Sequence, residues 1–141
     1  MESSDALYRL RLAAGFLQEG RDQLAHGLHR AAVDAAQLSV ENSVKAVLAL
    51  FGPVPKVHRI AASLESLMAE EDFDEDEKGT LARLTELAAT LGFETHVRTD
   101  YGDELQGLTP WDLYDEEEAR KALAYAEEAH GIARRIVEQR V

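Results

Sequence analysis

Apolar residues recur along this chain at steps of three and four. No stretch alternates apolar and polar positions for long enough to read as a strand. The chain is therefore predicted to be all-α. A first helix is expected over about residues 4–26, with Leu7, Leu10, Ala14, Leu17 and Leu24 on one stripe and Ser3, Ser4 or Asp5 as its cap. A second is expected over about residues 28–51, and it carries two seams. Val33, Gln37, Val40, Val44, Val47 and Phe51 make one; Ala32, Ala36, Ser39, Ser43, Ala46 and Leu50, mostly small, make the other. Small side chains admit a neighbouring helix closely, and two seams predict a central helix touched on more than one side. Gly52 and Pro53 end it.

A short third helix is expected over about residues 58–69, with Ile60, Leu64, Leu67 and Met68 inward. The acidic run Glu70 to Glu77 then reads as a solvated connector that caps the next helix, since carboxylates at an N-terminus complement the helix dipole. It lacks the spacing and the glycine of a calcium loop, so no metal is expected there. The fourth helix, about residues 75–91, places Leu81, Leu84, Leu87, Ala88 and Leu91 on its stripe before Gly92. The last, about residues 115–139, opens on a capping box of Asp115 and Glu118. Its inward face is Ala119, Ala122, Leu123, Ala126, Ala129, Ala133, Ile136 and Val137. Between these two lies FETHVRTDYGDELQGLTPWDLY (Phe93 to Tyr114), read as a long loop. A connection of that length inside a bundle is often functional.

Composition narrows the function classes. With 141 residues the chain is one domain, residues 1–141, large enough for a core of its own. The net charge of −12 argues against sequence-independent coating of nucleic acid, while leaving room for a local site with one or two arginines. Absence of cysteine excludes disulfides, thiol catalysis and cysteine zinc sites. No run of ~18 apolar residues is present and the first residues do not read as a signal peptide, so a cytoplasmic location is expected, with no membrane contact. A single asparagine, Asn42, and eleven arginines to four lysines fit a thermophilic source or a GC-rich genome equally.

Candidate chemistry concentrates in HVRTDYGDE. Arg98 is suited to gripping phosphate oxygens, His96 to moving a proton near neutral pH, and Tyr101 to stacking on a base. The structural alternative is that Arg98 pairs with Asp100, Asp103 or Glu104 and pins the loop. Glu41 and Lys45 stand one turn apart on the second helix, either as an ordinary ion pair or beside a nucleotide pocket. His58, with Arg59, begins the third helix, where anions bind readily. His26, His29 and His130 are given no role.

Three stretches, in this order, resemble the HEPN domain family. RAAVDAAQLSVENSVKAVLALFG (Arg30 to Gly52) is similar to the family's second helix, with its Glu-x-x-x-Lys-Ala core. VHRIAASLESL (Val57 to Leu67) is similar to its histidine followed by a leucine-rich helix. HVRTDYGDELQGLTPWDLYDEEEARKALAYAEEA (His96 to Ala129) carries Arg-x-x-Tyr-Gly-Asp ahead of Tyr-x-x-Glu-Glu-Ala and an alanine-rich last helix.

The resemblance implies an up-and-down four-helix core with one additional short helix, and a symmetric homodimer. It also implies one of two roles. Many relatives are metal-independent ribonucleases that use an arginine followed four to six residues later by histidine at the dimer interface. Many are encoded beside a minimal nucleotidyltransferase in a toxin–antitoxin-like pair, sometimes with a modified tyrosine near the motif, and others bind nucleotides. Arg98 matches the arginine by position and Tyr101 the tyrosine, but the histidine window holds Gly102, Asp103 and Glu104. The first reading is therefore a cytoplasmic homodimer partnered by a nucleotidyltransferase, binding a nucleotide or RNA through Arg98, Tyr101, Lys45 and His58, with no cofactor and no metal. A ribonuclease toxin using Arg98 and His96 is the catalytic alternative. A non-catalytic interaction module is the third.

Overall fold

The computed structural model describes residues 2–141. These form α1 (Glu2–Ala25), α2 (His29–Ala49), α3 (Ile60–Glu70), α4 (Glu75–Thr90), α5 (Phe93–Tyr101), α6 (Pro110–Leu113) and α7 (Glu116–Arg140), with no strand among the described residues. The fold is all-α. The helix with two seams is its axis: α2 packs against all six other helices. Every residue of both predicted seams is buried except the last of each, Phe51 and Leu50, which are half-buried. α1, α2, α4 and α7 make the four-helix core, and α3 is the additional short helix.

The inward faces of α3, α4 and α7 are those the spacing predicts; α7 buries Ala119, Ala122, Leu123, Ala126, Ala129, Ala133, Ile136 and Val137. α1 differs. Its buried line is Ala6, Leu10, Ala13 and Leu17, whereas Leu7 is exposed and Ala14 faces solvent. The line continues through Gly20, where an added Cβ would stand 3.2 Å from Ala35 Cβ and 2.7 Å from Leu123 Cδ2. Close approach selects small residues here, so Ala6 and Ala13, with Leu10 and Leu17, make the contact while Leu7 and Ala14 are turned off it.

Two other expectations are corrected. The acidic connector does cap α4, through a capping box of Asp74 and Glu77, but it is not wholly solvated. Phe73 is buried and packs edge-on against Phe51, ring centroids 5.6 Å apart. The Arg140 guanidinium lies over both rings and donates to Glu77 Oε2 at 2.8 Å, which ties the last helix to this corner. Second, residues 93–114 are not a continuous loop, because they contain α5 and α6. α5 escapes a periodicity search because its one buried residue is polar, Thr99. Among the described residues no helix is long and apolar enough to cross a membrane.

Candidate functional site

Gly92 ends one helix and begins another. α5 then runs from Phe93 to Tyr101, and Gly102, with a φ of 71°, caps and stops it. It is strapped to α2 by polar groups. Thr99 Oγ1 lies 3.3 Å from Asp34 Oδ1 and 2.8 Å from the His96 carbonyl. Arg30 Nη1 donates to the Thr99 carbonyl at 2.7 Å and sits 3.7 Å from Asp100 Oδ1. A cation on the carbonyls of a last turn satisfies both their orphaned acceptors and the dipole.

The chain then turns back on itself. Asp103 and Leu108 exchange backbone hydrogen bonds of 2.8 and 2.9 Å, and the Asp103 carboxylate accepts from the Gln106 backbone and side chain. α6 opens on a Thr109–Asp112 capping box with Pro110 at its first position. That signature, Thr-Pro-Trp-Asp, was present in the sequence and marks a helix start.

Arg98 stands at the centre of this strap. Its side chain is about half exposed, Nη1 is 3.9 Å from Asp103 Oδ2, and the guanidinium acts electrostatically on the Tyr114 phenol. Burial pushes the Tyr114 pKa up, and Arg98 partly opposes that shift by favouring the phenolate. Tyr101, one turn beyond Arg98, is 67% exposed on the same side of the helix. His96 is not beside Arg98. Two residues apart on a helix, the two side chains diverge by about 200°. His96 Nδ1 is buried with no hydrogen-bond partner.

The contact between Arg98 and Tyr114 has a pH signature. Tyr114, with its folded pKa raised, contributes stability that is present below pH ~10 and is lost as pH rises through the folded value. Removing the guanidinium in Arg98→Ala is expected to delay Tyr114 ionisation further. The phenolate absorbance of each protein, minus that of its Tyr114→Phe counterpart, isolates this group. An earlier onset in Arg98→Ala would place the guanidinium elsewhere.

Lys45 and His58 come together at a different place. They line one hollow with Arg9 and Lys56, at the connection between α2 and α3. Lys45 Nζ is 3.3 Å from Glu41 Oε2, the i, i+4 pair that spacing predicts. The His58 ring lies 4.8 Å, centroid to centroid, from Phe93 at the start of α5, beside an Arg59–Glu94 ion pair. Thus α5 carries Arg98 and Tyr101 towards its C-terminal end and meets the Lys45–His58 hollow through its first residues. Sequence reasoning passed over Tyr114, Arg30 and Asp34, whose roles exist only through contacts between segments distant in the chain. It placed Gln37 in an apolar seam of α2 but gave its carboxamide no role, although one polar group among valines was a visible signal. No group of three or more His, Cys, Asp or Glu among the described residues is placed to hold a metal ion.

The family model for the HEPN domain matches residues 6–136 of this chain. No curated protein matches it. Among solved structures, the crystal structure of TT1696 from Thermus thermophilus is similar, with a TM-score of 0.70 and 24% sequence identity over 93% of this chain and 97% of that one. At that identity the likeness is one of fold.

Proposed function

Because this chain belongs to the HEPN domain family, we propose that it is a nucleotide- or RNA-binding helical module rather than a nuclease. It works as a homodimer with a nucleotidyltransferase-type partner. The observation that carries this reading is the pairing of Arg98 with Asp103. Asp103 stands in the window where the ribonuclease pattern has histidine. Its carboxylate takes the place of the histidine imidazole and offsets the charge that would stabilise a pentavalent phosphorane. His96, turned away on the same helix, does not supply the missing acid. The guanidinium remains a two-pronged phosphate ligand, half exposed, and a phosphate can take it over from a single carboxylate contact of 3.9 Å. Tyr101 offers a ring on which a base stacks.

The same side of the molecule supports a protein contact. Leu28 and Trp111, 56% and 73% exposed, line a common hollow with Tyr114, and Leu105 is fully exposed at the tip of the turn. Exposed aromatic and aliphatic residues of this kind mark interaction surfaces. A second copy or a partner seated here would bring further groups to Arg98.

The test is binding of a short fluorescein-labelled single-stranded RNA in excess chelator, followed by gel analysis of the same RNA. Wild type is expected to bind and leave the RNA intact. Arg98→Ala is expected to weaken binding about tenfold or more, with the melting midpoint lowered by no more than a few degrees, because its ion pair is long and open to solvent on the arginine side. Cleavage that disappears in Arg98→Ala would overturn the binding-only reading in favour of a metal-free ribonuclease. Equal affinities for wild type and variant would remove Arg98 from the site.

A further inference from the structure

A second set of polar groups meets at the other end of α5 from Arg98. The hollow at the α2–α3 connection, about 450 Å³, is lined by Arg9, Lys45, Lys56 and His58 together with apolar residues, and no carboxylate lines it. The chain as a whole has a net charge of −12. Repulsion from such a body keeps anions away except where cations face inward alone. Lys45 and Arg9 do have partners, Glu41 at 3.3 Å and Asp5 at 3.4 Å, but both are i, i+4 pairs along a single helix. Such pairs are weak and yield readily to a doubly charged oxyanion.

On the other side of His58 lies a mainly apolar cavity of about 220 Å³, walled by Val40, Ile60, Leu91 and Phe93, with Arg59 and the carboxylates of Glu41, Glu65 and Glu94 also in its lining. Gln37 also lines it. Its side chain is 2% exposed, and its Oε1 is buried with no hydrogen-bond partner. A buried carboxamide with an unused acceptor, in an otherwise apolar seam, costs stability. A ligand with a complementary amide-like edge would satisfy it. His58 lines both spaces, and the Glu41–Lys45 pair reaches from the cavity to the hollow.

We propose that the hollow and the cavity are two halves of one ligand site, which takes a small aromatic or heteroaromatic phosphomonoester with an amide-like edge. The phosphate sits among Arg9, Lys45 and Lys56. The ring enters past His58, with its hydrogen-bonding edge on Gln37. The site does not use Arg98 and stands whether or not the RNA reading does.

Calorimetric titration of the full chain with three probes tests this: inorganic phosphate, benzamide, and 4-carbamoylphenyl phosphate, which joins the two. The joined probe is expected to bind at least about tenfold tighter than either half. Lys56→Ala should weaken phosphate and the joined probe about fivefold or more, and leave benzamide alone. Gln37→Leu, close in volume and therefore expected to fold, should weaken benzamide and the joined probe while leaving phosphate unchanged. Arg98→Ala should leave the benzamide titration and the gain on joining unchanged. Halves that bind with no gain on joining would overturn the single site. So would a joined probe that does not bind at millimolar concentration, or one lost in Arg98→Ala. A Gln37→Leu protein that melts higher yet binds benzamide as before would reduce the orphaned carboxamide to a packing defect and overturn the ring half.

Discussion

Val44→Asp is expected to leave the protein largely unfolded at neutral pH and 25 °C. Val44 is 0% exposed, on the α2 seam, within the contiguous core. The substitution removes buried apolar surface and puts a carboxylate where the core offers it no partner. An unpaired buried charge costs several kcal/mol on its own, against a total stability of about 5–15 kcal/mol for a domain. Val44→Ala separates the two effects. Losing the bulk alone should cost about 2 kcal/mol, a fall in melting midpoint of roughly 8 °C at this size. The aspartate variant should also carry a pH signature. Burial raises its folded pKa above the unfolded value, so the stability linked to this group is present in acid and lost as pH rises through the raised pKa. The gap between variant and wild type should therefore narrow from pH 7 towards pH 4. Thermal unfolding followed by circular dichroism reads all three proteins. A Val44→Asp protein that melts within a few degrees of wild type at pH 7 would mean that α2 is not the axis.

That seam was legible because its signal is redundant. Four valines and a phenylalanine repeat in phase over several turns with one glutamine among them, and a single misread position does not alter the answer. The α1 contact was half legible: period and length were read, but the stripe was assigned to Leu7 and Ala14 instead of Ala6 and Ala13. Hydrophobic bulk marks a buried face only where there is room for it. At a close helix crossing the informative residues are the small ones, as Gly20 shows with Ala35 Cβ only 3.2 Å from where its own Cβ would be. Phe73 was illegible for another reason: one apolar residue among acidic neighbours has no period at all, and only the fold brings Phe51 and Arg140 to it.

The candidate site was legible as chemistry and not as geometry. Arg98, His96 and Tyr101 were singled out because they are close in sequence. Helical winding then sets Arg98 with Tyr101 and turns His96 away, a separation that follows from 3.6 residues per turn once α5 is known to be a helix. α5 itself was hidden, because Phe, Thr, His, Val and Tyr are middling helix formers, and because arginine and aspartate from α2 hold it in place, with little help from a stripe of its own. Lys45 and His58, thirteen residues apart and read as separate features, share one hollow. Arg9 belongs with them and gave no sign of it. Residues that meet through tertiary packing alone leave no local trace.

Gly102→Ala should separate the strap from the bundle. Gly102 has a φ of 71° and a ψ of −149°, a combination that costs residues with a Cβ about 1–3 kcal/mol. Strain is the smaller part here. The added Cβ would stand 2.2 Å from the Leu108 carbonyl oxygen and 3.0 Å from the Pro110 nitrogen, all backbone atoms that cannot rotate aside. The Leu108 carbonyl is also the acceptor for the Asp103 N–H at 2.8 Å. To admit the methyl group, the Asp103–Leu108 pair must open. Asp103 then leaves Arg98, and α6 with Tyr114 loses its seat. Within residues 93–114 only Thr99 and Pro110 are buried, so the core formed by α1, α2, α4 and α7 has little stake in this segment. The expected result is a modest fall in melting midpoint together with at least about tenfold weaker RNA binding and faster hydrogen exchange over residues 98–112. Gly107→Ala is the matched control. It has nearly the same φ, 70°, with nothing within 4 Å of the new Cβ, so it tests strain without the clash. It should cost about 1 kcal/mol and keep most of the binding. If both variants bind RNA as wild type does, the turn does not position Arg98. If Gly102→Ala unfolds the whole chain, the strap is part of the core and the division between bundle and site is wrong.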